Sequence, residues 1–448
     1  MGYVNDRSRK HFFPASAIHK EKKLWGEEHW IVNKAYCGKK LILKKDRRCS
    51  MHSHKEKDEV FYVQSGKVLL ELHGKKQILN PGDFIHIPPG TPHRFTGIEN
   101  SEIFEFSTTH DEGDSYRSEL SGHIDQDRYD REVALIEGFS KVHVLVVGDA
   151  MLDTYIEGSV SRVSPEAPIP IVRGRAQWHV PGGAANVSRN VVSLGGKSTL
   201  IGVRGADHAG KTLESLLKKG NSASHLIVDR TRCTTQKQRI VGNGKHQVTR
   251  IDYEETADVS SAIQKKIVQE VTKEIRKADV LVLSDYAKGV LSPQVLVQII
   301  AIGKKVGVPV VLDPKPKGPE YLRYARGVTL LKPNRREVCV LMGESDPDIT
   351  KAARTLVKTL QSNVLLTLGS DGMLLATLKN ALQSFPALAR EVTDISGAGD
   401  TVVATLGLAL GAKGSQEDAV DLANRAASIV VGKAGTATVH KKELLDVL

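Results

Sequence analysis

Asp394-Ile395-Ser396-Gly397-Ala398-Gly399-Asp400 runs straight into the apolar stretch Thr401–Leu410. Small residues opening an apolar helix leave backbone N–H groups free at the helix start, where the helix dipole adds positive potential. Such a terminus suits the charge that builds on a migrating phosphoryl group. Asp400 stands at its edge, where a carboxylate can take the proton of an attacking hydroxyl. A plainer reading is a Gly-rich turn with Asp400 as its cap. The rest of the chain decides between the two.

Upstream, Pro181-Gly182-Gly183-Ala184-Ala185-Asn186-Val187 continues to Leu194-Gly195-Gly196. Two glycines let a ligand approach the backbone closely, and Asn186 offers a donor and an acceptor to sugar hydroxyls. Val187, Val191 and Leu194 recur at helical spacing. Around both motifs, apolar runs alternate with helical stretches. Val142–Val147, Val280–Ser284, Val308–Leu312, Val328–Leu331 and Val364–Leu368 read as buried parallel strands, which predicts a doubly wound α/β sheet. Two segments break the alternation: residues 154–174, which are strand-like, and the runs Gln236–Ile240 and Gln247–Ile251. The latter two flank Gly242-Asn243-Gly244, a hairpin signal.

The two motifs, in this order, resemble those of the ribokinase (PfkB) family of sugar kinases. The resemblance runs from about Lys141 to the C-terminus. It includes Val146-Val147-Gly148-Asp149-Ala150-Met151-Leu152-Asp153, Leu283-Ser284-Asp285-Tyr286-Ala287-Lys288-Gly289 and Val431-Gly432-Lys433-Ala434-Gly435-Thr436. Ser161-Arg162-Val163-Ser164-Pro165-Glu166-Ala167-Pro168-Ile169-Pro170 is similar to the branch that phosphorylates D-glycero-β-D-manno-heptose 7-phosphate in ADP-heptose synthesis. Ser396 stands where the family usually has Thr, and it keeps the hydroxyl.

The resemblance implies a ribokinase-like sheet with a small β lid over the sugar, ATP and Mg²⁺ as cofactors, and a homodimer or higher homo-oligomer. It also implies roles. Asp400 becomes the base that activates the anomeric hydroxyl, and Gly397, Ala398 and Gly399 the anion hole. Asp149, Asp153, Gly182, Gly183 and Asn186 line the sugar pocket. Asn334 and Glu337 match an Asn-x-x-Glu element that organises Mg²⁺ and phosphate; the plainer reading is a helix start after a strand, and position and context favour the functional one. Thr367 and Gly369 belong to the nucleotide-side turn, and Asn424 and Gly435 to the adenine and ribose end. A substrate that already carries a 7-phosphate needs a cationic clamp, for which Arg162, Lys288 and Lys315 are candidates.

The first quarter of the chain has another texture. Lys40–Lys44, Val60–Gln64, Val68–Leu72, Phe84–Ile87 and Ile103–Ser107 are short strand-like runs punctuated by Gly and Pro, which predicts a small all-β barrel. His52 and His54 stand two apart in such a run, so both point to one face. With Glu59 and His93 they form a candidate ligand set for a divalent transition metal: Zn, Fe, Mn or Ni. Keeping the same residues as polar core groups without a metal would be costly. His73 and His86 read as incidental. The spacing of this set, with Gly66, Gly82 and Pro88-Pro89-Gly90-Thr91-Pro92-His93, resembles both motifs of the cupin family. The usual Asn that ends the second motif is missing after Arg94-Phe95-Thr96. Trp25–Lys34 and Glu105–His110 resemble cupins of the mannose-6-phosphate isomerase type. That implies aldose–ketose isomerisation of a sugar phosphate, with Glu71, Glu105 and Tyr62 as candidate acid/base groups. The other reading is a non-catalytic binding or oligomerisation module.

Composition narrows the partners. The 448 residues allow two or three domains. Aromatic residues make up 5%, too few for nucleic-acid stacking platforms. The net charge of +11 is dispersed rather than gathered in runs, which suits anionic small molecules better than nucleic acid. Cys37, Cys49, Cys233 and Cys339 are scattered, as expected in a reducing cytoplasm. Met1–Lys10 has no apolar signal core, and Thr401–Ala412 is too short to span a bilayer, so no membrane role is expected. The expected organisation is a cupin barrel over 1–122, a charged linker over 123–138 and a sugar kinase over 139–448. The related bifunctional enzymes carry a nucleotidyltransferase after the kinase. With no His-x-Gly-His motif before Leu448, this chain is expected to make the heptose bisphosphate but not the nucleotide sugar.

Overall fold

The computed structural model describes residues 18–72, 75–119, 122–123, 126–242, 246–388 and 392–448; Met1–Lys10, His73 and the hairpin tip at 243–244 lie outside them. The chain divides into two compact units between Arg131 and Glu132.

The first unit is built from two antiparallel sheets. Strands His19–Lys23, Gly26–Asn33, Tyr36–Leu43, Ser101–Thr108, Glu59–Ser65 and Phe84–Ile87 lie side by side in that order. Met51–His54, Val68–Leu72 and His93–Gly97 belong to the second sheet. Side chains alternate across each strand, so Glu59, Phe61 and Val63 all face inward. Phe61, Val63, Val68, Leu70, Phe95 and Ile103 fill the apolar part of the interior. The register sets His93 directly opposite His52. Glu59 faces them from the other sheet.

The second unit is centred on a nine-stranded sheet. Its order is Ala223–Val228, Lys197–Arg204, His143–Gly148, Val280–Ser284, Val310–Asp313, Leu330–Leu331, Asn363–Thr367, Met373–Ala376 and Leu382–Phe385. The first seven strands are parallel, and the last two join antiparallel. The five strands expected from apolar runs are all present. Val328–Leu331 is shortened to two residues because Val328 and Thr329 still belong to the approach to the sheet. Two apolar clusters, one on each face, complete the layering.

Helix Ala398–Gly411 is buried on all sides from Asp400 onward, as expected for a helix with no polar face. Its fixed place in the core fixes Asp400 at its first turn. The lid segments are larger than expected. Ala150–Val163 pairs antiparallel with Pro170–Gly183 and parallel with Gln236–Gly242, which pairs in turn with His246–Tyr253. The expected linker at 123–138 contains helix Gln126–Gly138. Ile136, fully buried with Phe139 three residues on, belongs to the core of the second unit. Its charged neighbours masked that apolar pair in the sequence.

Candidate functional site

In the second unit the strands end in loops that converge on Asp400. Its carboxylate is buried, with Oδ2 accepting from Asn186 Nδ2 at 2.8 Å and Oδ1 from the Tyr286 hydroxyl at 2.5 Å. Asn186 is held in turn: Asn190 Nδ2 donates to its backbone oxygen at 2.9 Å and its amide oxygen at 3.4 Å. That leaves the Asn186 amide N–H for Asp400. Burial pushes the Asp400 carboxyl up to about 6, against the lowering pull of Tyr286 and Asn186. A base poised near neutral pH is suited to proton abstraction.

Asp394–Gly397 form a loop, and Ala398 and Gly399 open the helix that carries Asp400. Gly397 is the N-cap of the helix with φ of 81°, and a Cβ there would stand 2.9 Å from Asn186 Nδ2. Asp394 ties the loop down, accepting from Ser396 N at 2.8 Å and Gly435 N at 3.0 Å. First-turn N–H groups of a helix lack intrahelical acceptors. The Ala398 N–H makes only a long bond, 3.3 Å, to the Ile395 oxygen. A buried cation stands beside this terminus: a Cβ at Gly399 would lie 3.7 Å from Lys332 Nζ, which pairs with Asp313 at 2.9 Å. Burial alone would lower the Lys332 ammonium, but Asp313, Glu337 and Asp400 outweigh it and hold it charged.

On the lid side, Asp153 accepts from Arg239 Nη1 at 2.8 Å and from the Thr436 hydroxyl at 3.1 Å. Lys237, two residues before Arg239 and on the same strand face, has its ammonium 5.5 Å from the Tyr286 ring centre. Tyr155 stacks on Trp178 with ring centres 5.3 Å apart. Asp400, Asn186, Asp153 and Gly397 thus meet, joined by Tyr286, Arg239, Lys237, Lys332 and Thr436, which the sequence reading did not single out.

Other expected residues are occupied by the fold. Asp149 accepts three backbone N–H groups, from Tyr286, Lys288 and Val290, at 2.8–3.1 Å. The missing Cβ atoms of Gly182 and Gly183 make room for Asp153 Oδ2 and the Asp149 oxygen, so the chain itself makes the close approach attributed to a ligand. Asn334 and Glu337 form a reciprocal capping box at the start of helix Arg335–Met342, and Glu337 also pairs with Lys315 at 3.1 Å. Thr367 bridges to Asn334 at the end of its strand, and Gly369 turns the chain with φ of 66°. Asn424 donates to the Pro386 oxygen at 2.8 Å. Of the clamp candidates, Arg162 is exposed and Lys288 pairs with Glu254 at 2.8 Å.

In the first unit, His52, His54 and His93 bring a nitrogen each within 4.8 Å of one another. Each Nδ1 is engaged by a backbone oxygen: Ser50 at 2.8 Å, Asp114 at 2.9 Å and Thr91 at 3.0 Å. Those bonds fix the tautomer with the Nε2 lone pair free, the arrangement a metal ligand needs. Burial lowers His52 to about 3 and His93 to about 4, so both are neutral. His93 Nε2 is buried without a hydrogen-bond partner among the described residues. This donor set fits a divalent metal. Glu59 lies beside it, with Oε2 3.3 Å from His93 Nε2, but its Oε1 is paired to the buried Lys57. Lys57 also binds Glu105 at 2.5 Å. The triad opens on a cavity of about 460 Å³ whose lining includes Lys39, Glu105 and His110. Glu71 is instead paired with Arg94 at 2.6 Å, and Tyr62 is exposed.

Residues 141–443 match the pfkB family carbohydrate kinase, and residues 40–106 match the Cupin domain. The chain is 44% identical over 317 residues to the bifunctional protein HldE of Caulobacter sp. strain K31, covering 69% of this chain and 64% of that protein. It is 43% identical over 306 residues to HldE of Azorhizobium caulinodans, covering 67% and 63%. It therefore spans just under two thirds of the length of these relatives. Among solved structures, Escherichia coli phosphofructokinase-2 in complex with fructose-6-phosphate aligns with a TM-score of 0.56 at 21% identity, covering 68% of this chain and 97% of that one. Arabidopsis thaliana ribokinase complexed with ribose and ATP aligns at 0.53 and 23%, covering 68% and 98%. These likenesses concern the fold.

Proposed function

The chain belongs to the pfkB family of carbohydrate kinases, with an N-terminal cupin domain, and from that premise we propose that it phosphorylates D-glycero-β-D-manno-heptose 7-phosphate at O1. The observation that carries this reading is the buried Asp400 carboxylate, held by Asn186 and Tyr286 at the open start of helix Ala398–Gly411. In the reaction, Asp400 takes the proton of the O1 hydroxyl as that oxygen attacks the γ-phosphorus of MgATP. The bond from the γ-phosphorus to its bridging oxygen breaks, and ADP leaves with the electron pair. The helix terminus and Lys332 face the charge on the transferred group. The heptose-like stretch Ser161–Pro170 and the HldE relatives support the choice of sugar. Arg239 and Lys237 offer cationic charge on the lid side for a second phosphate.

Incubation with MgATP and a panel of C5–C7 sugars and sugar phosphates, with products read by mass spectrometry, tests this. The expected product is the 1,7-bisphosphate. A comparable kcat/KM for an unphosphorylated pentose would overturn the assignment, because a site built around a phosphate penalises its absence.

For the cupin, the triad and its cavity support a metal-assisted isomerisation of a sugar phosphate. A metal held by His52, His54 and His93 would supply polarisation of the carbonyl. Glu105, which lines the cavity while Glu71 and Tyr62 do not, is then the group placed to move the proton. If metal is bound and no sugar phosphate is interconverted at any pH, the domain is a binding module.

A further inference from the structure

We propose that Tyr286 is a positioning residue for the kinase, holding the Asp400 carboxylate oriented and ionised for proton abstraction. The inference rests on Asp400 being the base and extends it to a residue that makes no part of either motif.

The geometry begins with Asp149. Its buried carboxylate gathers the N–H groups of Tyr286, Lys288 and Val290, which curls the loop after strand Val280–Ser284. Asp285 adds a second anchor, accepting from Ala287 N at 2.8 Å and from the Tyr321 hydroxyl at 2.6 Å. Ala287 is held at φ of 55° and Gly289 at 88°. A non-glycine residue persists in that region only when its surroundings over-determine it. Five hydrogen bonds thus fix a strained turn, and the turn aims one side chain, Tyr286, at one carboxylate oxygen.

The contact has a chemical use. Both Asp400 oxygens already accept from neutral donors, Asn186 on Oδ2 and Tyr286 on Oδ1. Each oxygen keeps a further lone pair for a substrate hydroxyl. A carboxylate this deeply buried favours its neutral form, which cannot accept a proton. A phenol donor stabilises the anion without bringing a countercharge that would quench its basicity. Burial and the Asp400 charge hold the phenol itself well above its ordinary range, so Tyr286 keeps its own proton throughout. The other charged groups facing Asp400 are Asp153, Lys332 and, paired with Lys332, Asp313. All remain in place when Tyr286 is changed.

The test is the pH profile of kcat/KM for Tyr286→Phe, using MgATP and whichever sugar phosphate of the C5–C7 panel is turned over. Losing a hydrogen bond to a charged group should move the acid limb upward by about one to two pH units, with activity largely recovering above the new limb. An unchanged limb would overturn the proposal, as would a loss that is the same at every pH. Should Tyr286→Phe not fold, 3,5-difluorotyrosine at position 286 keeps the shape and donates more strongly, and should move the limb downward; no movement again overturns it. Asp400→Asn separates this from the parent reading. If that variant turns over normally, the base assignment fails; if it is inactive while the Tyr286 profiles match wild type, only the role of Tyr286 fails.

Discussion

Asp400→Asn should abolish phosphoryl transfer and at the same time make the second unit more stable. The substitution removes the proposed base, a loss that typically costs on the order of 10²–10⁴ in rate. It preserves volume, and the new amide oxygen can still accept from Asn186 Nδ2. The stability gain follows from the raised acid constant. The Asp400 carboxyl is lifted from its ordinary 3.8 to about 6 by burial, so ionising it in the folded state costs about 3 kcal/mol relative to the unfolded chain. Below about pH 4 both states carry the proton and wild type suffers no penalty. The penalty grows as pH rises through the interval between the two values and is complete above the folded value. A neutral amide never incurs it. Urea unfolding at pH 7.5 should therefore favour the variant by up to about 3 kcal/mol, less the cost of rearranging the Tyr286 hydrogen bond, and the advantage should fall by about half at pH 5. ADP release measured on the same preparation supplies the activity arm. Near-wild-type turnover would refute the base assignment, and a stability difference independent of pH would refute the electrostatic reasoning.

Two further outcomes follow from the same geometry. His52→Ala combined with His93→Ala should remove transition metal from the purified protein, as read by elemental analysis, and leave phosphorylation of the sugar unchanged; stoichiometric metal in the double variant would refute the ligand set. Gly289→Ala should destabilise by about 2–4 kcal/mol in urea unfolding, because a Cβ there would stand 2.0 Å from the Ala257 oxygen, and should slow the kinase through the displaced Tyr286 loop.

Much of the fold was legible because its signals are local. The five apolar runs of the second unit are strands buried on both faces, so they lack alternation and stand out as continuous hydrophobic stretches. The strands of the first unit alternate, and His52 and His54 keep that period while sharing a face. What escaped was structure whose cause lies elsewhere in the chain. Gln126–Gly138 reads as a charged linker with room for a short helix, and the place of that helix in the core shows only once the cluster that receives Ile136 is known. The lid strands Ala150–Val163 and Pro170–Gly183 are longer than their apolar content suggests because each supplies the other's hydrogen bonds.

The site divides along the same line. Asp400, Asn186 and Gly397 were visible because a small-residue loop ahead of a helix has a chemical consequence that a short stretch can carry. Arg239 and Lys237 were not, and Tyr286 stood in a recognisable stretch without a use of its own, since a cation on a strand or a tyrosine in a loop has no meaning until the sheet sets it across from Asp153 or Asp400. Asp149 shows the reverse. Its place in a recognisable stretch suggested a ligand contact, yet its three acceptor bonds are all taken by backbone N–H groups of the loop that carries Tyr286. A motif can therefore mark a residue whose polar atoms are used inside the fold, here to shape the loop that carries Tyr286. Asn334 and Glu337 are the harder case, because a capping box satisfies Asn334 Oδ1 and Glu337 Oε2 while Glu337 Oε1 reaches Lys315. Any part they take in holding MgATP has to be added to that box rather than exchanged for it, since opening it would leave the start of helix Arg335–Met342 uncapped.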